Sequence, residues 1–436
     1  MLKDENSYVK EHLNILVLHR MGDPRFWRTA VRDLEFMLPT YAPEHNYIVH
    51  DSNMALLDFV KEIKFHGIIL GPTFLCSRYR PAEFERTLKE YDFIRTSDAF
   101  KIALPQDDYD CSAILDRWMV SWDMDVVYTV CPDKWPILYP NYSAKNKIQL
   151  GYTGYVSDAW LTTCQHPKPF HLRSIDVSYR ANRLPPNFGR IGYLKGVIGE
   201  RFISKFGNAG LKLDISTNKN DLIPGDSWHA FLENSKFCLV TNSGSSLLDP
   251  EGEIRARVNR YLSINPRASF EVIEESCFKG EDGKYIFTAI SPRNIEAALA
   301  RTVQIGITGN YSGILQAEDH FILLEPDCSN VSEVVSMMND HRKAATIAKN
   351  CKDAILAVDD LRFKNHVAKL IQQIEDGVTV KKIHGSGDES VKQVISQYRN
   401  EASAFWRRRR VTSKLRGIGA RLGGRYIRDF FFESKL

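Results

Sequence analysis

One short motif, Ser291-Pro-Arg-Asn-Ile-Glu, has the residue types and the spacing of an anion-binding helix start. Ser291 can cap a helix and Pro292 suits its first position, which leaves backbone N–H groups beside Arg293 and Asn294 available to an anion such as a diphosphate. Arg293 and Glu296 share one helix face, so that a cation can meet a phosphate while a carboxylate accepts ribose hydroxyls. A surface ion pair on a capped helix explains the same residues equally well.

A second set of phosphate-binding candidates follows the strand predicted from Ser174 to Tyr179. These cations are Arg180, Arg183, Arg190 and Lys195. Arg offers bidentate hydrogen bonds and Lys offers a point charge, so the cluster suits phosphates in a cleft, with a solvated basic loop as the alternative. Gly244 and Ser245 follow another strand and supply small residues where the backbone has to approach a ligand.

Acid–base candidates lie in the first half of the chain. Asp107 and Asp108 follow a predicted strand, where a carboxylate can act as a general base or bind sugar hydroxyls, although capping the next helix explains at least one of them. His19 ends the first strand and is a further candidate, with a structural role as its alternative. The pair Asp107 and Asp108 lacks a third ligand nearby, so we predict no metal site.

The chain has 436 residues, of which 43% are hydrophobic and 26% are charged, an ordinary composition for a globular protein. This length favours two domains and a tail. No apolar run approaches the roughly 20 residues that cross a bilayer, and the polar start lacks a signal-peptide core, so we expect a cytoplasmic protein. The eight cysteines form no C-x-x-C pair and are expected to be reduced. The glycine fingerprints of dehydrogenases and P-loop proteins are absent.

Alternating apolar strands and amphipathic helices predict two Rossmann-like, doubly wound α/β domains that face a cleft, where ligands bind at the carboxyl ends of the strands. We place the first domain at 1–150, an interdomain connection at 151–172 and the second domain at 173–376. A linker at 377–400 and a basic amphipathic helical tail at 401–436 follow.

The tail concentrates positive charge. Residues 401–436 contain ten Lys and Arg against three acidic residues, which leaves a net charge of −3 on residues 1–400. Cations mixed with Phe, Trp and Tyr near helical spacing predict a helix that rests on an anionic membrane surface. Nucleic-acid binding and packing on the body as an ordinary terminal helix are the alternatives, and four glycines between 417 and 424 weaken a helix here.

Five segments of the second half together resemble the donor half of a GT-B glycosyltransferase. They are Ile175-Asp-Val-Ser-Tyr-Arg, Trp228, Gly244-Ser-Ser, Asp249-Pro-Glu-Gly and the motif at Ser291. The resemblance is to group 1 and its CgeB-like relatives, which are found in surface-polysaccharide gene clusters, and it covers about 174–375 well. It implies that Glu296 binds the nucleotide ribose and that Arg190 and Lys195 bind the diphosphate. Many retaining members carry a second glutamate eight residues upstream, where this chain has Thr288.

The resemblance implies transfer of a sugar from a UDP-, GDP- or CMP-sugar to a glycan or lipid-linked glycan, as in assembly of bacterial lipopolysaccharide, O-antigen or capsule. No metal or other cofactor is then obligatory, because Arg and Lys can offset the leaving diphosphate. We expect a peripheral protein at the inner face of the plasma membrane with no nucleic-acid partner. A nucleotide-sugar epimerase of the same fold, a non-catalytic nucleotide- or glycan-binding subunit and a nucleic-acid-associated protein are the alternatives.

Overall fold

The computed structural model describes residues 12–206, 210–223 and 225–421, and its first half forms a six-stranded sheet. The strand order is β2-β1-β3-β4-β5-β6 and every pairing is parallel. The strands are β1 (Asn14–His19), β2 (Asn46–Asp51), β3 (Gly67–Leu70), β4 (Phe100–Ala103), β5 (Val126–Thr129) and β6 (Ile148–Leu150). The helices are α1 (Thr29–Glu35), α2 (Met37–Tyr41), α3 (Asp58–Lys61), α4 (Pro72–Leu75), α5 (Pro81–Glu90), α6 (Ser112–Ser121), α7 (Trp135–Leu138) and α8 (Asp158–Thr163).

A second, five-stranded parallel sheet has the order β13-β12-β9-β7-β8, and an antiparallel pair, β10-β11, lies beside it. Its strands are β7 (Ile175–Arg180), β8 (Leu213–Ser216), β9 (Ser235–Val240), β10 (Ser243–Ser245), β11 (Phe287–Ala289), β12 (Val303–Gly306) and β13 (Ile322–Leu323). The accompanying helices are α9 (Gly189–Phe206), α10 (Asp226–Glu233), α11 (Glu253–Ile264), α12 (Phe270–Cys277), α13 (Pro292–Leu299), α14 (Val331–Asn339) and α15 (His341–Leu356).

Both sheets are covered on their two faces, which explains their apolar strands. In β1, Leu16 and Leu18 join one core while Ile15 and Val17 join the core on the opposite face. In each domain the first strand is flanked by the second on one side and the third on the other, so the strand order reverses there. The prediction of two Rossmann-like, doubly wound α/β domains is confirmed. Ligands are expected at the carboxyl ends of β1 and β7.

The last two helices return to the first domain, which corrects the predicted boundaries. Helix α16 (Phe363–Lys381) packs its Val367, Leu370 and Ile374 into the core of the first sheet, although we expected residues up to 376 in the second domain. The predicted linker at 377–400 is largely helical, because α16 continues to Lys381 and α17 (Asp388–Arg421) begins soon afterwards. The apolar side chains of both helices cover the first sheet, so this stretch has a core to pack against.

The beginning of the predicted tail lies within α17, so its helical prediction is confirmed as far as Arg421. Residues 422–436 of the predicted tail are outside the described residues. None of the helices in the described part of the chain has the length and hydropathy needed to cross a bilayer.

Candidate functional site

The start of α13 is built as the sequence motif predicts. Ser291 and Asn294 form a reciprocal capping box, and Pro292 occupies the first turn. Gly154 in the interdomain connection lies against Pro292, where a Cβ would come within 3.0 Å of the proline ring. This close approach fixes the helix start beside the connection between the domains.

Arg293 is a cation with no ion-pair partner in the part of the chain that the structure describes. Its guanidinium carbon lies 5.3 Å from the ring centre of Tyr179 on β7 and 5.6 Å from that of Trp228 on α10. Its Nε atom is buried and has no hydrogen-bond partner. A buried donor without a partner costs free energy, so the aromatic rings hold a guanidinium that an incoming anion would satisfy.

Lys195 on α9 is the second cation at this place. The Tyr179 hydroxyl donates a hydrogen bond of 2.7 Å to the Lys195 carbonyl, which ties α9 to β7. Burial and, to a smaller extent, the Arg293 charge lower the pKa of the Lys195 ammonium to about 8 against the opposing effect of the Asp107 charge. Among the described residues, neither Lys195 nor Arg293 has a carboxylate at ion-pair distance. Two such cations together attract a multiply charged anion.

Glu296 lies one helical turn beyond Arg293. The Trp228 indole N–H donates a 2.7 Å hydrogen bond to Glu296 Oε2, and Oε1 keeps acceptor capacity for another donor. Burial raises the pKa of the Glu296 carboxyl, while the indole and Arg293 act in the opposite direction. The charge of Asp33 on α1 of the first domain adds a small effect that also raises this pKa. The geometry suits a carboxylate that accepts hydroxyl hydrogen bonds from a ligand.

Asp107 is the carboxylate that the first domain contributes to the same place. It follows β4 with a left-handed φ of 51°. The Tyr109 hydroxyl donates a 2.7 Å hydrogen bond to Asp107 Oδ1, and the Tyr79 hydroxyl lies 3.4 Å from Oδ2. Asp107 acts electrostatically on Lys195 across the interdomain cleft. The structure therefore brings together Asp107, Lys195, Arg293 and Glu296 of the predicted site residues.

Arg78, which the sequence analysis missed, holds the loop that carries Asp107. Its side chain is fully buried and donates hydrogen bonds to the carbonyls of Asp107 (2.9 Å), Gln106 (2.7 Å) and Asp110 (2.9 Å). Because all three acceptors are backbone atoms distant in sequence, no short motif signals this role. The guanidinium fixes the strained turn on which Asp107 stands.

Three predicted phosphate ligands pair with carboxylates elsewhere, and Arg183 does so with Glu200 on its neighbouring helix α9. Arg180 donates to the Asp214 side chain and to the Asp221 carbonyl at the outer edge of the second sheet. Arg190 pairs with Glu274 on α12 and approaches Asp282. Local carboxylates neutralise these cations, and none of them belongs to the group that Lys195 and Arg293 form.

Three other predicted ligands have packing roles. The Asn294 side chain is fully buried and bonds to Ser291 and Gln304. Ser245 is fully buried and its hydroxyl lies within hydrogen-bond distance of the carbonyls of Phe188 and Leu247. Gly244, with a φ of 143°, lies so close to the β11 backbone that any side chain would collide with the Phe287 carbonyl. We expected the backbone at Gly244 to approach a ligand. In the structure it approaches strand β11 instead.

Two predicted acid–base residues are buried inside the first domain. Asp108 is fully buried and accepts a hydrogen bond from the Tyr139 hydroxyl, and burial raises the pKa of its carboxyl. His19 is 2% exposed, packs against Trp27 and Phe36, and burial lowers its pKa to about 4 against the effect of Asp51. Neither side chain can contact an acceptor in this conformation, which leaves Asp107 as the accessible candidate.

The two domains are joined beside the site by an interdomain clasp, which sequence analysis also missed. Its backbone part pairs Asp249 with Tyr109 and Cys111 (N–O distances of 2.9 and 2.7 Å). Its side-chain part is an ion pair between Arg255 on α11 and the buried Asp110. The Asp249-Pro-Glu-Gly segment thereby anchors the second domain to the loop that carries Asp107.

Thr288, at the position of the upstream glutamate in many retaining relatives, lies on β11 opposite Gly244 and is 8% exposed. Within the described residues, no three His, Cys, Asp or Glu side chains are placed to hold a metal ion.

No protein-family model matches the chain, and no curated protein matches it significantly. Solved structures with a similar chain course include HepE from Anabaena in complex with UDP-glucose, at 12% identity and a TM-score of 0.46, covering 85% of this chain and 100% of that one. An alpha-glucosyltransferase in complex with UDP and a 13-mer DNA has 8% identity and a TM-score of 0.47, covering 84% and 99%.

Proposed function

We propose that the chain is a glycosyltransferase that uses a nucleotide-sugar donor. The observation that carries the proposal is the pair of cations Lys195 and Arg293, which lack carboxylate partners among the described residues and face Asp107 across the cleft. A diphosphate between the two cations would satisfy the buried Arg293 Nε and neutralise both charges. Glu296 Oε1 is then placed to accept a ribose hydroxyl.

Catalysis in this arrangement rests on positioning and on charge stabilisation. Holding donor and acceptor in one cleft replaces an encounter in solution, and Lys195 and Arg293 offset the negative charge that develops on the departing diphosphate. Asp107, oriented by Tyr79 and Tyr109, accepts the proton of an acceptor hydroxyl as that oxygen attacks the sugar. The first domain thus presents the acceptor, while the second binds the donor.

For the acceptor we propose a glycan or a lipid-linked glycan, in the assembly of a bacterial surface polysaccharide at the inner face of the plasma membrane. The resemblance to polysaccharide-cluster enzymes and the basic residues of α17 support this choice. The donor is a UDP-, GDP- or CMP-sugar.

A comparison of two arginines tests the proposal. Calorimetry with UDP, GDP and CMP should detect binding of at least one nucleotide to the wild type. Arg293→Met should weaken that binding by roughly 10-fold or more, because one charge-assisted contact is worth about 1.5–3 kcal/mol. Arg190→Met is the matched control and should bind as the wild type does, since Arg190 is paired with Glu274.

Activity assays then separate the related functions. With labelled sugar nucleotide and a panel of glycan and lipid-linked acceptors, a transferase labels an acceptor, whereas an epimerase converts the donor alone. Nucleotide binding with neither reaction would identify a binding subunit. Absence of binding to every nucleotide would sink the proposal.

A further inference from the structure

Helix α17 is mounted on the edge strand of the first sheet and runs in the same direction as that strand. At the start of β2, the Asn46 side chain donates a 2.6 Å hydrogen bond to Asp388. At its end, the Tyr398 hydroxyl lies 3.0 Å from His50 Nδ1 and 3.2 Å from the Val49 carbonyl. The buried Val391 and Ile395 lie between these contacts along the helix. The first part of α17 is therefore a fixed component of the domain.

The direction of α17 determines where its basic end lies. Because the helix parallels β2, it extends past the carboxyl ends of the strands, which is the side on which the cleft opens. From Tyr398 to Arg410 the helix rises about 18 Å at 1.5 Å per residue. The Arg410 charge acts on Asp23, which lies in the loop after β1. The basic end of α17 and this loop therefore belong to one surface.

This surface combines cations with an apolar anchor. Arg407 to Arg410 are all exposed, and the sequence has no acidic residue between Glu401 and Asp429. The loop after β1 adds the exposed Arg28 and Phe26, which ends a 3-10 turn and is 77% exposed, whereas the neighbouring Arg25 is paired with Asp23. We call these residues, Phe26, Arg28 and Arg407 to Arg410, the basic face.

We propose that the basic face docks the first domain on an anionic phospholipid bilayer, with the guanidinium groups on headgroup phosphates and Phe26 in the interface. Cations around an exposed aromatic residue are the pattern of interfacial anchors. The inference rests on the proposed function in one respect: docking on this side points the mouth of the cleft at the membrane, where a lipid-linked acceptor enters directly.

A bilayer fits the basic face better than a nucleic acid does. Single-stranded nucleic acid needs aromatic rings on which successive bases stack. Here Phe405 and Trp406 are half-buried, and the Arg409 guanidinium lies 5.9 and 5.6 Å from their ring centres. Phe26 is the one fully exposed aromatic side chain of the basic face, which suits insertion at an interface and provides no stacking series.

Vesicle co-sedimentation of the full chain tests the docking. The wild type should bind phosphatidylcholine vesicles containing about one-third phosphatidylglycerol, should bind pure phosphatidylcholine poorly, and should weaken with salt. Replacing Arg407 to Arg410 by Glu should reduce binding by ~100-fold, whereas replacing all four by Lys should retain it, since near-surface charge drives the attraction. Phe26→Ala should reduce binding by roughly 10-fold.

A matched control reverses four exposed cations of the second domain, Lys205, Arg342, Lys343 and Lys349, to Glu and should bind vesicles as the wild type does. The inference is overturned if the Arg407 to Arg410 reversal binds like this control, or if the wild type prefers single- or double-stranded DNA to vesicles at equal phosphate concentration. Nucleotide binding is measured on every variant. If the wild type binds nucleotide but not vesicles, only the membrane-docking proposal is rejected. If the wild type binds no nucleotide, the proposed glycosyltransferase function is rejected.

Discussion

Asp107 and Lys195 stand on different domains, and the negative charge of the first raises the pKa of the second against the effects of burial and of Arg293. Their approach depends on the turn held by Arg78 in one domain and on the Tyr179 contact to α9 in the other. Hydrogen bonds within each domain thus position Asp107 on one side of the cleft and Lys195 on the other.

The pKa of Lys195 predicts how ligand affinity varies with pH. The protonated ammonium binds the anion, and it is populated below a pKa of about 8. Affinity for a nucleoside diphosphate should therefore fall by roughly 10-fold as the pH rises from about 7 to about 9.5. Titration calorimetry at several pH values measures this change, and near the pKa two buffers of different ionisation enthalpy should report proton uptake on binding.

Lys195→Arg is the matching variant, because a guanidinium keeps its charge throughout this range. Its affinity should vary little with pH. An equal decline in the variant and the wild type would assign the titration to another group.

Arg78 should affect transfer more than donor binding. Arg78→Lys keeps the charge but cannot reach all three carbonyls, so the loop carrying Asp107 should lose its fixed geometry. We expect kcat to fall by roughly 10- to 100-fold and stability to fall by about 1–3 kcal/mol, while nucleotide affinity stays close to that of the wild type. A variant that loses nucleotide affinity and kcat equally would show that Arg78 supports the fold as a whole.

The interdomain clasp should contribute strongly to stability. Arg255→Met leaves the Asp110 carboxylate buried without its partner, which should cost about 3 kcal/mol in the free energy of unfolding measured with urea. The double variant Arg255→Met/Asp110→Asn should lose less free energy of unfolding than the two single variants lose in sum. The exposed pair Arg117–Glu251 also joins the domains and serves as a control, with an expected coupling below about 1 kcal/mol. Equal coupling energies for both pairs would contradict this account.

The sequence predicted the elements whose signal is local. Most strands of both sheets and the capped start of α13 follow from apolar runs, Ser291 and Pro292, because a cap and a buried strand are recognisable within a few residues. Arg293 and Glu296 became candidates because their spacing places them on one helix face.

Long-range partners could not be predicted. Arg180 and Arg190 have the same charge as Lys195, but the first pairs with Asp214 and the second with Glu274. The sequence indicates a cluster of cations without showing which of them carboxylates neutralise. Arg78 was missed for the same reason, because its acceptors are backbone oxygens about 30 residues away.

The return of α16 and α17 to the first sheet has a consequence for biosynthesis. The ribosome makes the six strands of that sheet early, yet the side chains that cover one of its faces and its edge, such as Val367, Ile374 and Ile395, are translated only after the entire second domain. Until then the nascent first sheet exposes apolar surface. The second domain can therefore complete its fold before the first domain does, although the ribosome begins the first domain earlier.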